Sequence, residues 1–279
     1  MHRKLIIGGA LAVIVAVAPA CGIADVVDVA NAIRSQGCGE LSAVGRPLRA
    51  QTQLDDAARR IAYGDGLQAA TSGSGYRAKK SASIHIQTTK GDDGVTQMLA
   101  QRFCEIVTDP NLREIGVYRH GKETWMVLAA PFSPPDPDDA STVSHRVLEL
   151  INEARLQARR CGRKKFPATT PLKQVATLEG AALAHAQDMA AHSYIGHKGS
   201  DGSMPADRAM RANYTWSSVA ENVAGGQTTA EEVVNTWLAS PGHCANLMSP
   251  RYSDTGVAYA VNPASKKGIY WVQVFAAQK

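Results

Sequence analysis

"HCANLMSPRYSDTGVAY", residues 243–259, has a partner earlier in the chain, "FCEIVTDPNLREIGVY" at 103–118. In both, a proline follows the cysteine by six residues, and Gly-Val begins six residues later: Cys104, Pro110, Gly116 and Cys244, Pro250, Gly256. The likeness extends outward. Upstream, "VANAIRSQGCGE" and "LINEARLQARRCGR" share Asn-x-x-Arg and Cys-Gly. "RPLRAQTQLDDAAR" and "TPLKQVATLEGAALAH" share Pro-Leu and a helical stretch with an Ala-Ala pair. Downstream, "TWMVLAAPF" and "YWVQVFAAQ" are tryptophan-bearing strands. This shared order reads as an internal duplication. It suggests one disulfide in each half, Cys38–Cys104 and Cys161–Cys244.

The stretch "PFSPPDPDDAST", 131–142, is proline-rich and acidic, hence an extended, exposed divider. The expected organisation is a signal peptide at 1–24, a first domain at 25–132, a linker at 133–142 and a second domain at 143–279. "MHRKLIIGGALAVIVAVAPA" has the basic start and short apolar run of a secretory signal, and no later stretch is apolar enough for a membrane span. Export makes disulfides the expected state of four of the five cysteines. Cys21 is the odd one. Cleavage after Ala24 would discard it, and cleavage after Ala20 would expose it to lipidation. No leucine stands three positions before it, which favours the first fate. The expected location is therefore outside the cell or in the envelope, with an anchor at Cys21 as the lesser alternative.

The formal charge of +5 is modest, and its one dense cluster, "RRCGRKK" at 159–165, reads as a solvated helix end. Modest charge, export and the lack of an aromatic-basic stripe argue against nucleic acid as a partner.

In the second half, apolar spacing predicts helices over 145–159 and 174–191. Ser203 is expected to cap a short helix, and Thr229 with Glu232 to form a capping box. "DTGVAYAV" and "GIYWVQVFAA" read as hairpin strands. Helices with an antiparallel sheet make an α+β domain with helices on both sheet faces.

Of eight histidines, His185 falls on the apolar stripe of its helix and reads as a hydrogen-bonded core residue. His145 and His192 read as helix-end groups, while His85 and His120 have no evident partners. His197 lies in the glycine-rich "YIGHKGSDGS" and His243 in the turn "SPGHC". Glu221 stands between them in the apolar "AENVAGG", where a carboxylate is costly to bury unpaired. Separations of 24 and 22 residues place the three on different elements. Spacing alone leaves open whether they share a site or are satisfied separately.

"HAQDMA", "HKGSDG", "AENVAGG", "VVNTWLASPGHCANLM" and "YWVQVF" cover nearly all of 143–279 in the order seen in the CAP superfamily. This half resembles that superfamily's SCP-like extracellular domain (cysteine-rich secretory, antigen 5, pathogenesis-related 1), in its secreted bacterial form. The resemblance implies an α-β-α sandwich with a cleft holding two histidines and two glutamates, in which a divalent metal such as Zn²⁺ can bind. By position, His197 and His243 are the histidines and Glu221 the first glutamate. Ser240 takes the place of the second. Two imidazoles and a carboxylate are suitable zinc ligands, but the missing acid weakens both a metal and a hydrolytic reading. No H-E-x-x-H or G-x-S-x-G motif is present.

The first half, with Phe103 in the place of His243 and no "AEN", reads as a degenerate copy. The expected function is cleft binding of a lipid, a wall glycan or a protein, without a complete catalytic set. A metal-dependent hydrolase of wall peptides or glycans, and a structural envelope protein with a relic cleft, are the alternatives.

Overall fold

A computed structural model of the protein describes residues 23–279. The signal-peptide boundary and the fate of Cys21 lie outside the described residues. The chain divides into two compact units, one ending at Phe132 and the other Ser133–Lys279.

The first unit runs α1 (Ile23–Gln36), β1 (Arg49–Ala50), α2 (Thr52–Ala62), α3 (Leu67–Gly73), β2 (Ala78–Gln87), α4 (Gly91–Arg102), α5 (Cys104–Val107), β3 (Glu114–His120) and β4 (Glu123–Pro131). The second, after one 3₁₀ turn, runs α6 (Ala140–Arg155), β5 (Arg159–Cys161), β6 (Lys164–Phe166), β7 (Lys173–Gln174), α7 (Ala176–His192), α8 (Pro205–Arg211), β8 (Trp216–Gly225), α9 (Ala230–Ala239), α10 (Pro241–Leu247), β9 (Asp254–Val261) and β10 (Ile269–Gln278). Both units are α+β.

Their main sheets share one plan. The strand orders are β1-β3-β4-β2 and β7-β9-β10-β8, with one short parallel pair at an edge and antiparallel pairing elsewhere. In the second unit α7 covers one sheet face, burying Leu178, Ala182, Ala186 and Met189 against Val272 and Val274. Helices α6, α9 and α10 form the other layer, where Trp237 and Trp271 are fully buried.

The motifs common to both halves have physical reasons. The asparagines lock a loop to the first helix: Asn31 exchanges two hydrogen bonds with the Leu48 backbone, and Asn152 does the same with Leu172. Three residues on, a fully buried arginine ties down backbone carbonyls. Arg34 donates to Arg46, Val107, Asp109 and Leu112, and Arg155 to Thr170, Leu247, Ser249 and Tyr252. Burial lowers the Arg155 pKa to about 10. Gly116 and Gly256 are required by close approach. A Cβ would fall 2.0 Å from the Leu54 carbonyl carbon in one unit and 2.1 Å from that of Leu178 in the other. The bridges Cys38–Cys104 and Cys161–Cys244 are formed, one per unit.

Several local expectations are corrected. The first helix of the second unit begins at Ala140 and ends at Arg155, so His145 sits inside it beside Glu149. "RRCGRKK" is not a helix end but a hairpin, β5–β6, turning at Gly162 with φ +60°. The cap of α8 is Met204, not Ser203; its backbone N–H donates to the Asp207 carboxylate. Thr229 does cap α9 by accepting from the Glu232 N–H, but the Glu232 carboxylate reaches back to the Thr228 N–H. The two tryptophan strands are offset by one residue. Gly116 pairs with Val127, two residues past Trp125, whereas Gly256 pairs with Val274, three past Trp271. The two indoles therefore lie on opposite faces of their sheets. His85 is not partnerless: it stacks on Trp125 at 4.8 Å.

Candidate functional site

The site gathers at β8, an edge strand of the second sheet. Glu221 projects from β8 with its side chain 1% exposed, so its charge needs partners. It has two. Oε1 accepts from His197 Nδ1 at 2.9 Å, and Oε2 from Arg208 Nη2 at 2.7 Å. Because a carboxylate can only accept, Nδ1 of His197 carries the proton and Nε2 is turned outward. The His197 side chain is about half exposed. Its hydrogen bond to Glu221 raises its pKa.

The loop carrying His197 has no regular structure, and three neighbours pin it. His185, buried on α7, contacts the Gly196 carbonyl through Nε2 at 2.8 Å. Arg208 of α8 donates to the His197 and Ser203 carbonyls. Asp188 accepts from Tyr194 Oη, Ser200 Oγ and the Ser200 N–H. Burial would raise the Asp188 pKa, but these hydrogen bonds outweigh it and bring it to about 2.

His243 arrives from the other helical layer, on the first turn of α10. Cys244 bridges that turn to Cys161, and the Asn222 amide donates to the His243 carbonyl at 3.1 Å. Asn246 donates to the Glu221 carbonyl and to Asn222 Oδ1, lacing α10 to the same stretch of β8. Burial lowers the His243 pKa, and the nearby His197 lowers it further. His243 Nδ1 is buried without a hydrogen-bond partner among the described residues. Ser240 joins α9 to α10 and makes no side-chain cap bond.

His197 and Glu221 are thus in direct contact, and His243 lies near enough to sense the charge on His197. The expected metal set of His197, Glu221 and His243 meets an obstacle. Arg208 occupies the second oxygen of Glu221 and supplies the positive charge there. Among the described residues no group of three or more His, Cys, Asp or Glu is arranged to hold a metal ion. What the residues offer is two imidazoles and a carboxylate that orients one of them.

Residues 148–275 match the family model described as CAP, the cysteine-rich secretory protein family. The match covers most of the second unit and none of the first. The uncharacterised protein YkwD of Bacillus subtilis (strain 168) is 32% identical over 139 residues, covering 50% of this chain and 49% of that protein. The chain therefore spans about half the length of that curated relative. Among solved structures, an extracellular SCP-domain protein from Bacillus anthracis str. Ames is 17% identical with a TM-score of 0.43, over 59% of this chain and 56% of that one. An outer surface protein from Borrelia burgdorferi is 22% identical with a TM-score of 0.38, over 50% and 92%.

Sequence reasoning missed Arg208, Asn222 and Asn246. Arg208 lies 13 residues from Glu221, beside Arg211, and looks like a solvated charge on a short helix. The only signal was the carboxylate's need for a cation.

Proposed function

We propose that the second unit is an exported recognition module that binds its ligand or partner at the β8 cleft, with His197 and His243 as contact groups. The observation that carries this is the commitment of both Glu221 oxygens. One holds Arg208 and the other sets the tautomer of His197, so an oriented ring nitrogen faces solvent at a rigid site. Glu221 and Arg208 then act by positioning. Export fits the two disulfides, and among the described residues no helix is long and apolar enough to cross a membrane.

The first unit is, on this reading, a copy of the same framework without the cleft. The sheet registers put Ser83 where Glu221 stands, opposite Val127 and Val274 respectively. Phe103, beside the disulfide, packs against the first unit's core at the position that His243 takes in the second.

One observation favours a hydrolytic second reading. A histidine oriented by a buried carboxylate, with Nε2 outward, is the arrangement of a general base. Both readings are tested by titrating the full chain with insoluble wall glycan, wall-derived peptides and lipid vesicles, scoring binding and hydrolysis. Recognition predicts saturable binding to one of these, weakened at least about tenfold in both His197→Ala and His243→Ala, without turnover. Binding that survives both substitutions overturns it, and turnover abolished by His197→Ala replaces it with the hydrolytic reading.

A further inference from the structure

The β5–β6 hairpin concentrates positive charge that the fold leaves unanswered. Register sets Arg160 directly opposite Lys165, with Arg163 in the two-residue turn and Lys164 next to it. All four residues are exposed. Among the described residues, none of them forms an ion pair with a carboxylate within 4.0 Å; the arginine and lysine pairs all lie elsewhere. The Lys164 ammonium lies over the Phe166 ring at 4.8 Å. Like charges directly opposite each other destabilise an antiparallel pair, and a two-stranded hairpin is marginal by itself. This hairpin is held by its other face. Cys161 and Phe166 are buried with Cys244 and Met248, and the Cys161–Cys244 bridge ties the hairpin to α10. The fold therefore keeps two repelling cations side by side where one acidic residue would relieve them.

Acids are missing from the surroundings too. Residues 154–178 contain seven Lys or Arg and no Asp or Glu, and residues 233–253 contain Arg251 and no acid. These two stretches meet in space. The disulfide joins them, and Arg155 donates to the Thr170 carbonyl of one and to the Leu247, Ser249 and Tyr252 carbonyls of the other. A Cβ on Gly162 would stand 3.0 Å from Pro241 Cβ, so the hairpin turn lies against the start of α10. Arg159 is set apart, because it lines a groove between α6 and α9 with Glu153 and Glu231.

Four fixed cations on an acid-free surface select an anion. Arg160 and Arg163 carry guanidinium forks, which take phosphate through paired hydrogen bonds. Each strand is three residues long, about 10 Å. One phosphate ion cannot touch all four groups at once, whereas a chain of phosphates can. Between Arg160 and Lys165 the one apolar side chain is Cys161, and it is buried, so the finger carries nothing to insert into a lipid layer.

We propose that the β5–β6 hairpin docks the protein on a linear, phosphate-bearing polymer of the cell envelope, with Arg160, Arg163, Lys164 and Lys165 as the contact groups. The envelope setting rests on the export reading above; the surface itself does not use His197 or Glu221. The test titrates the full-length protein with long-chain polyphosphate, inorganic phosphate, poly-glutamate and anionic phospholipid vesicles at about 50 and about 200 mM salt. Saturable binding to polyphosphate is expected, at least about tenfold weaker at the higher salt, because several neutralised phosphates release their counterions together. The fourfold variant R160Q, R163Q, K164Q, K165Q should bind at least about tenfold more weakly. The same loss of charge in the first unit (K90Q, R102Q, R113Q, K122Q) should leave binding unchanged. So should His197→Ala, which separates this surface from the cleft. Lys165→Glu should weaken binding with a urea midpoint no lower than wild type, since it gives Arg160 an acidic neighbour. Equal loss in the two fourfold variants would mean bulk charge alone and overturns the proposal. So does the absence of polyphosphate binding at the lower salt, equal or tighter binding to inorganic phosphate, poly-glutamate or vesicles, or a lowered midpoint in Lys165→Glu.

Discussion

Replacing Arg208 by methionine tests how the site is held. Methionine keeps much of the apolar stem and removes the guanidinium. Arg208 is 7% exposed and Glu221 5% exposed, so the substitution leaves a buried carboxylate without its cation. The change strands the Glu221 Oε2 at the end of a 2.7 Å bond and frees the His197 and Ser203 carbonyls. Removing one partner of a buried pair costs about 3–5 kcal/mol. The expected loss for Arg208→Met is in that range at pH 7. Glu221→Gln in the same background should recover about 2 kcal/mol or more, because the buried charge is then gone. The assay is urea unfolding of the full chain followed by tryptophan fluorescence, since three of the four tryptophans (216, 237 and 271) lie in the second unit. A loss below about 1 kcal/mol, or a double variant whose loss equals the sum of the singles, would refute the shared-carboxylate account.

Other consequences follow from the same contacts. Arg155→Met and Arg34→Met should each cost about 3–5 kcal/mol, since each strands several buried carbonyls; near-zero loss in urea unfolding would contradict their bracing role. Opening Cys161–Cys244 with a serine pair releases a loop whose ends are 83 residues apart, a loss of about 4.5 kcal/mol in the chain-entropy model. It should also broaden the His243 resonance; unchanged line width and stability would tell against it. Asp188→Asn should cost about 2 kcal/mol at neutral pH. A carboxylate whose folded pKa is about 2, against 3.8 unfolded, stabilises above the unfolded value and loses that contribution as pH falls through the folded one. The difference between variant and wild type should therefore shrink between about pH 4 and pH 2, and a pH-independent gap would argue against the mechanism.

Much of the fold was legible because its constraints are local and repeated. Gly116 and Gly256 admit no side chain, Asn31 and Asn152 bind one loop position each, and the arginines three residues later have one geometric task. Such needs leave the same letters at the same spacing in both halves. Helix ends were less legible. Periodicity continues past Arg155, and only the tertiary pairing of Arg159–Cys161 with Lys164–Phe166 turns the basic run into a hairpin. The tryptophans misled because composition does not record register, and one residue of offset sends an indole to the other face. At the site, a carboxylate in an apolar stretch was visible. Its partner was not, because Arg208 comes from another element and resembles a surface charge.

The most direct measurement is the titration of each imidazole in the full-length protein by two-dimensional ¹⁵N NMR. A shared, buried Glu221 should make His197 titrate above the ordinary histidine pKa with its neutral form protonated on Nδ1, and burial should make His243 titrate below that value. The His197–Glu221 contribution to stability should then be full below about pH 6.5 and fade as pH rises through the higher folded pKa. Glu221→Gln should bring His197 back toward the ordinary value. A His197 that titrates at or below His243, or that is indifferent to Glu221→Gln, would contradict the account.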